Sequence, residues 1–198
     1  MHCRGTKTGA NDLASPQYLT CSATAANLQE QYACIDAATV NITRCAKTLL
    51  DAFTQKFPQT LIMQCGYDLP CLEGKCAGTV ARTDPFCGKN ATCQNLGTLH
   101  WQGPLLQPLA AKYKQYTGLN ILGTMQKADG VPGADIGRPV LDRGSPCEYM
   151  TGCVHPTYGQ PGATAIGEAF WELYFSKHVG GAGSRRRARP LPGQVVVG

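Results

Sequence analysis

The residues best suited to chemistry lie near the end of the chain, where His155 and Pro156 precede a helical pattern. An imidazole titrates near neutral pH and can act as a general base. Pro156 fixes its own backbone and biases His155 away from the helical region, so the imidazole would be held on a rigid loop. His155 is therefore a candidate general base. The alternative is an ordinary surface histidine that precedes a helix.

A second candidate lies where a short apolar segment ends. Residues 60–64 read as a buried strand, and Cys65, Gly66, Tyr67 and Asp68 follow them. A run of this kind ending in glycine predicts a strand that leads into a loop. The loop would place a carboxylate and a phenol at the end of the strand, although the same pattern also fits a strand end without function.

A third candidate is the turn at Cys21 and Ser22, between a predicted strand at 17–21 and a helix that begins near Ala25. Ser22 could donate its backbone N–H to a ligand. Ser22 or Thr24 could equally cap the helix, because serine and threonine are favoured at that position.

In their order and spacing the three stretches resemble the SGNH (GDSL-type) hydrolases, over roughly residues 15 to 178. In that family a His-Pro before the last helix carries the general base, which implies this role for His155. The resemblance also implies that Ser22 and the Gly66–Tyr67 region support the oxyanion and that Asp68 is the last residue of the block that follows the third strand.

Two departures from the family are visible. The nucleophile of these enzymes lies in Gly-Asp-Ser on a first strand, and residues 1–14 contain neither that motif nor an apolar strand. The family places an aspartate where this chain has Gly152, so either Asp142 or Glu148 would orient the imidazole, or a Ser-His pair would work without a third member. We therefore expect an N-terminally truncated chain that lacks the first central strand and its nucleophile and is inactive alone.

Length and composition fit one globular domain over residues 1–178, followed by a disordered basic tail at 179–198. Hydrophobic residues make up 43% of the chain and charged residues 16%. The formal charge is +5, and the tail supplies four arginines, so no nucleic-acid surface is expected on the domain. No apolar run is long enough to span a membrane.

Eleven cysteines indicate a disulfide framework in an oxidising compartment, since the spacings are too wide for common zinc knuckles. Cys147 and Cys153 flank the His155 loop and are predicted to bond to each other. Cysteines 65–93 are expected to pair within or near their own loop. Sequons at Asn41 and Asn90 agree with secretion, and the signal peptide is expected upstream.

The remaining pattern predicts helices at 25–35, 43–56, 93–113 (interrupted at Gly103-Pro104) and 163–177, a strand at 120–123, a cysteine-rich loop at 66–89 and an irregular segment at 127–146. Alternating strands and helices predict a parallel α/β sheet. The resemblance implies a three-layer flavodoxin-like sheet with a cysteine-rich loop insertion.

The implied function is a secreted esterase that acts on carbohydrate or small acyl esters, with an ester or glycan substrate and no cofactor or metal. The alternative is a non-catalytic, disulfide-stapled binding protein on a degenerate hydrolase scaffold. The sequence leaves the substrate and the oligomeric state open.

Overall fold

The computed structural model describes residues 15–157 and 161–178, except for the side chains of Asn41 and of residues 103–107. The predicted tail at 179–198 lies outside the described residues. Within them, no helix has both the length and the apolar character needed to cross a membrane.

The chain enters the described fold as a helix, α1 (Pro16–Thr24), where a strand was predicted at 17–21. The side chain of Ser15 accepts the N–H of Tyr18, and Pro16 occupies the first turn. A capping serine followed by proline is a strong helix start, and it outweighs the short apolar run. The strand prediction was wrong for this local reason.

The two helices predicted at 25–35 and 43–56 are one helix, α2 (Leu28–Lys56). Asn27 caps it by accepting the N–H of Glu30, and the Glu30 carboxylate accepts the N–H of Ala26 in return. This arrangement is close to a capping box, except that the Glu30 carboxylate accepts the N–H of the residue before the cap. No glycine or proline lies between residues 36 and 42, so nothing in the sequence interrupts the helix.

The middle of the chain forms one β-α-β unit. Strand β1 (Ile62–Cys65) pairs in parallel with β2 (Tyr116–Leu119), and Ile62 lies opposite Tyr116. The connection contains α3 (Gly74–Thr83), inside the predicted loop, and α4 (Ala91–Lys112), which runs across Gly103-Pro104 without the expected interruption. Strand β2 begins four residues before the predicted position at 120–123.

Helices pack on both faces of this two-stranded sheet. On one face Leu50 of α2 and Leu109 of α4 contact Tyr116 and the partly buried Ile62. On the other face Leu119 and Ile121 pack against a helix that follows later in the chain. Helices therefore contact both faces of the two-stranded sheet, and the three-layer flavodoxin-like sheet stays a prediction.

The segment after β2 begins with a short helix, α5 (Thr124–Ala128), and then runs irregularly to residue 146, as predicted. A 3-10 turn (Cys147–Tyr149) leads into a hairpin of β3 (Met150–Thr151) and β4 (His155–Pro156). The last rod is helical over the predicted range: α6 (Gly162–Phe170), a π-helical segment (Trp171–Phe175) and α7 (Ser176–His178).

The disulfides correct the predicted pairing. Cys147 bonds to Cys71, and Cys153 bonds to Cys76, so the bond expected between Cys147 and Cys153 is absent. Two further pairs among the described residues are local, Cys21–Cys34 and Cys87–Cys93. The prediction that the cysteines from 65 to 93 pair within or near their own loop was therefore wrong except for Cys87–Cys93. Two of the bonds therefore tie the cysteine-rich segment after β1 to the hairpin that carries His155.

Candidate active site

A cavity of about 500 Å³ opens at the carboxyl end of β1, between α2 and α6. Its volume lies in the range of roughly 300 to 1,000 Å³ typical of ligand sites. The lining is mostly aliphatic, and its polar members come from the end of β1 and from α4. The lining includes Cys65, Gly66, Tyr67, Asp68, Trp101, Gln102, Val154 and Pro156.

The structure brings His155 and the turn after β1 together, although they are far apart in sequence. The ring centroids of Tyr67 and His155 are 6.2 Å apart, with an edge-on arrangement. Val154 and Pro156, on either side of the histidine, both line the cavity. His155 itself is exposed and is not among the residues that line the cavity, so its link to the cavity is the contact of its ring with that of Tyr67.

Covalent and backbone contacts hold the histidine loop in place. The N–H of Cys71 donates to the carbonyl of Cys153 at 2.9 Å, beside the Cys76–Cys153 bond. Gly152 and Cys153 both have positive φ, +61° and +74°, and form the tight turn of the hairpin. Such a conformation is unusual for a cysteine and persists because the cross-links around it determine it.

The turn at Gly66 and Tyr67 is fixed by an amide from α4. Nε2 of Gln102 donates to the carbonyl of Tyr67 at 2.6 Å. A Cβ on Gly66 would lie 1.8 Å from Oε1 of Gln102, so a larger residue at this position would require the Gln102 amide to move. The ring of Tyr67 also packs on Trp101, with centroids 5.5 Å apart. Nothing in the sequence singled out Gln102 or Trp101, because a helical amide and a buried indole carry no motif.

Asp68 is buried and acts on the backbone of the neighbouring segment. Its carboxylate accepts N–H groups from Leu69 (2.8 Å), Gly123 (2.6 Å) and Met125 (2.7 Å). Burial raises the pKa of Asp68 to about 6, although these three donors act to lower it. Asp68 therefore joins the end of β1 to the start of α5 and stabilises the backbone at this end of the cavity.

Ser22 lies apart from this group. It is fully buried, its hydroxyl donates to Asp84 at 2.9 Å, and it accepts the N–H of Phe86 at 3.2 Å. Gln31 donates to the same carboxylate at 2.8 Å. These contacts join α1 and α2 to the end of α3, and Ser22 is not among the residues that line the cavity.

The two carboxylates considered for orienting the imidazole do not contact it. Asp142 pairs with Arg143 at 3.3 Å, and Glu148 is exposed. Within residues 15–157 and 161–178, no side chain is hydrogen-bonded to His155. Cys65 is an unpaired thiol on the cavity wall, and burial raises its pKa, so it is held as the neutral thiol.

Of the two sequons, only Asn90 has a described side chain. It is exposed and caps α4 by accepting the N–H of Cys93 at 3.0 Å. The carbonyl oxygen makes this contact, which leaves the amide nitrogen available to a glycan. Asn41 lies in α2, and its side chain is outside the described part.

No family model, no curated protein and no solved structure matches this chain.

Proposed function

We propose that this chain is the greater part of a secreted SGNH-type ester hydrolase, with His155 as its general base. The observation that carries the proposal is the meeting of His155 with the turn at Gly66 and Tyr67, at the carboxyl end of a parallel strand. Ligand sites of open α/β sheets form at that end. The disulfides agree with an oxidising compartment.

The nucleophile is assigned to a strand outside the described residues. The N–H groups of Ile62 and Gly66 donate to the β2 side, so the alternate amides of Met63 and Cys65 face the other edge of β1. No further strand pairs there in the described part of the chain, and residues 64–68, at the carboxyl end of β1, line the cavity. A strand carrying Gly-Asp-Ser would fit between the two helical layers.

In this proposal each group has one task. The serine Oγ attacks the acyl carbon while His155 accepts its proton, and the same imidazole then protonates the leaving alcohol. A water molecule that gives a proton to His155 then attacks the acyl-serine, and the imidazole returns that proton to the serine as the acid leaves. Backbone N–H groups near Gly66 and Tyr67 stabilise the oxyanion. Ser22 is left out of that set, because its hydroxyl is engaged with Asp84. Carbohydrate or small acyl esters are the proposed substrates.

Hydrolysis of an activated acetyl ester tests the proposal. We expect residues 1–198 to show no turnover that depends on His155, and a chain extended by an upstream Gly-Asp-Ser strand to be active. His155→Ala should abolish that activity, while His100→Ala, which removes an imidazole on α4, should leave it intact. Activity of the extended chain that survives His155→Ala would refute the assignment.

One observation favours a second candidate, a non-catalytic binding protein. Serine and threonine are absent from the residues that line the described cavity, and most of these residues are aliphatic. A cavity of this kind suits an apolar ligand. Sequencing the 5′ end of the transcript separates the two: a start at Met1 favours binding, and an upstream Gly-Asp-Ser favours the enzyme.

A further inference from the structure

One wall of the cavity at the carboxyl end of β1 is an aliphatic face of α2. It consists of Ile42, Ala46, Leu49 and Leu50, and this spacing places them on one side of the helix. Leu49 is 54% exposed, so the cavity reaches the surface along this wall. Further aliphatic side chains of the lining come from other elements: Ile121, Met125, Met150, Val154 and Ile166.

Most polar side chains of the lining already have partners. The Asp68 carboxylate accepts three backbone N–H groups. Oε1 of Gln64 accepts the hydroxyl of Tyr116 at 2.9 Å. Lysine, arginine, histidine and glutamate are absent from the residues that line the described cavity. A sugar would leave hydroxyl groups unpaired here and an anion would have no cationic partner, so both would lose hydration without replacement. The lining therefore selects an aliphatic ligand.

The hydroxyl of Tyr67 is available to the polar end of such a ligand. Tyr67 lines the cavity, and its hydroxyl has no hydrogen-bond partner among the described residues. Nε1 of Trp101 and Oε1 of Gln102 also lack partners, but these two atoms have almost no accessible surface. A phenol can donate to a carbonyl oxygen. Because the Tyr67 ring contacts that of His155, a carbonyl bound there lies near the proposed general base.

The dimensions of the cavity set the length of the chain that it can hold. A methylene group occupies about as much space as a water molecule in the liquid, roughly 30 Å³, so a cavity of about 500 Å³ holds at most about sixteen of them. The wall from Ile42 to Leu50 runs about 12 Å along the helix axis. Carbon–carbon bonds of about 1.5 Å in a zigzag give an extended chain of about ten carbons a similar length.

We propose that the cavity binds a straight aliphatic acyl chain of about ten carbons, with its carbonyl at the hydroxyl of Tyr67 and its tail along α2. The inference rests on the proposed function where it takes the ligand to be the acyl part of an ester. It deepens that function, because it makes a medium-chain acyl ester the substrate and leaves the alcohol part outside the cavity. An acetyl group would occupy only a small part of the volume.

Titration calorimetry of the full oxidised chain with straight-chain methyl ketones tests the inference without a nucleophile. The ketones keep the carbonyl of an ester and cannot be hydrolysed, and their alkyl chains are lengthened by two carbons at a time. We expect the affinity to rise about tenfold with each step until the chain fills the cavity, and then to level off. Tyr67→Phe should weaken every ketone by one common factor, about threefold to tenfold, without changing the dependence on length.

Two matched variants of α2 locate the tail. Leu49→Gln should weaken the best ketone about tenfold, because it places an amide in the aliphatic wall. Val40→Gln should bind like the unchanged protein, since Val40 is equally exposed at 54% on the same helix and does not line the cavity. Both positions are at the surface, so neither change should prevent folding.

Three outcomes would overturn the inference: no binding of any ketone, an affinity that does not depend on chain length, or an equal loss of binding in Leu49→Gln and Val40→Gln. Unchanged binding in Tyr67→Phe would overturn the position of the carbonyl. Failure of the proposed function is a different result. If the ketones bind as expected but a chain extended by a Gly-Asp-Ser strand does not hydrolyse a decanoyl ester, the acyl site stands and the esterase does not. If the extended chain hydrolyses acetyl esters and no ketone binds, the esterase stands and the acyl site does not.

Discussion

Replacing Asp68 with asparagine tests the role assigned to the buried carboxylate beneath the site. The change keeps the size of the side chain and removes its charge. Oδ1 of Asp68 accepts the N–H groups of Leu69 and Gly123, and Oδ2 accepts that of Met125. In the variant, the amide nitrogen would face the N–H of Met125, so two donors would meet and one would lose its partner.

Asp68→Asn has two effects on stability at neutral pH, and they have opposite signs: it removes a buried charge, and it leaves one N–H donor without a partner. Burial raises the pKa of Asp68 from 3.8 to about 6, which corresponds to about 3 kcal/mol of unfavourable burial of the charged form. The unpaired donor in the variant costs about 1–3 kcal/mol. The two terms nearly cancel at pH 7, so Asp68→Asn should change the free energy of unfolding by no more than about 2 kcal/mol there.

Acidification separates the two effects. The folded protein binds this proton more tightly than the unfolded chain, so the contribution of Asp68 to stability is fully present below pH 3.8 and is lost as the pH rises through about 6. Between pH 7 and pH 4 the unchanged protein should therefore gain about 2 kcal/mol relative to Asp68→Asn, and the rest of the ~3 kcal/mol follows below pH 4. At pH 4 the variant should be the less stable of the two.

Urea unfolding at pH 4, 5, 6 and 7, followed by circular dichroism without reductant, measures this difference directly. Asp142→Asn is the matched control, since Asp142 is exposed and such changes usually have small effects. A difference between the unchanged protein and Asp68→Asn that stays constant within about 0.5 kcal/mol from pH 4 to pH 7 would refute the reasoning.

Gly66→Ala should destabilise by about 1–3 kcal/mol, because the new Cβ displaces Gln102 from the carbonyl of Tyr67; an unchanged urea midpoint would contradict the tight approach. Ser22→Ala should lower the free energy of unfolding by about 1–3 kcal/mol, because it leaves Asp84 with one donor fewer. It should not alter ester turnover in an extended active chain. A loss of turnover without a loss of stability would show that Ser22 belongs to the site. Cys153→Ser leaves Cys71–Cys147 to close the long loop and opens only the short one between the two bonds, so it should cost about 2–3 kcal/mol in thermal unfolding. A change below about 1 kcal/mol would show that the cross-link does not support the fold.

The sequence predicted those parts of the fold that depend on neighbouring residues. The last helix, the strand that ends at the Gly66 turn and the irregular segment near 127–146 were found in the expected places. Each has a local signal, such as periodic apolar residues or closely spaced glycine and proline. The prediction of a strand at 17–21 was wrong, because the helix start at Ser15 and Pro16, which is also a local signal, outweighs the short apolar run.

Disulfide pairing could not be read from the sequence, because it depends on which distant segments meet. Proximity favoured Cys147 with Cys153, yet each bonds to a cysteine more than 70 residues away. The contact of Gln102 with the Tyr67 carbonyl also depends on which distant segments meet, so the sequence does not reveal it. Helix α4 brings the amide to the turn, and no spacing within the helix marks that residue.

The disulfide bonds of Cys71 and Cys76 help to keep His155 beside the turn after β1. An exposed strand edge costs stability, because the amides of Met63 and Cys65 are left without strand partners. The relation between His155 and the turn after β1 does not depend on that edge. It depends on covalent bonds from Cys71 and Cys76 to the hairpin. His155 and the turn at Gly66 and Tyr67 can therefore stay together without a further strand beside β1. For this reason, the proposed binding at the cavity and the proposed hydrolysis can be tested separately, and only the second would require a serine nucleophile.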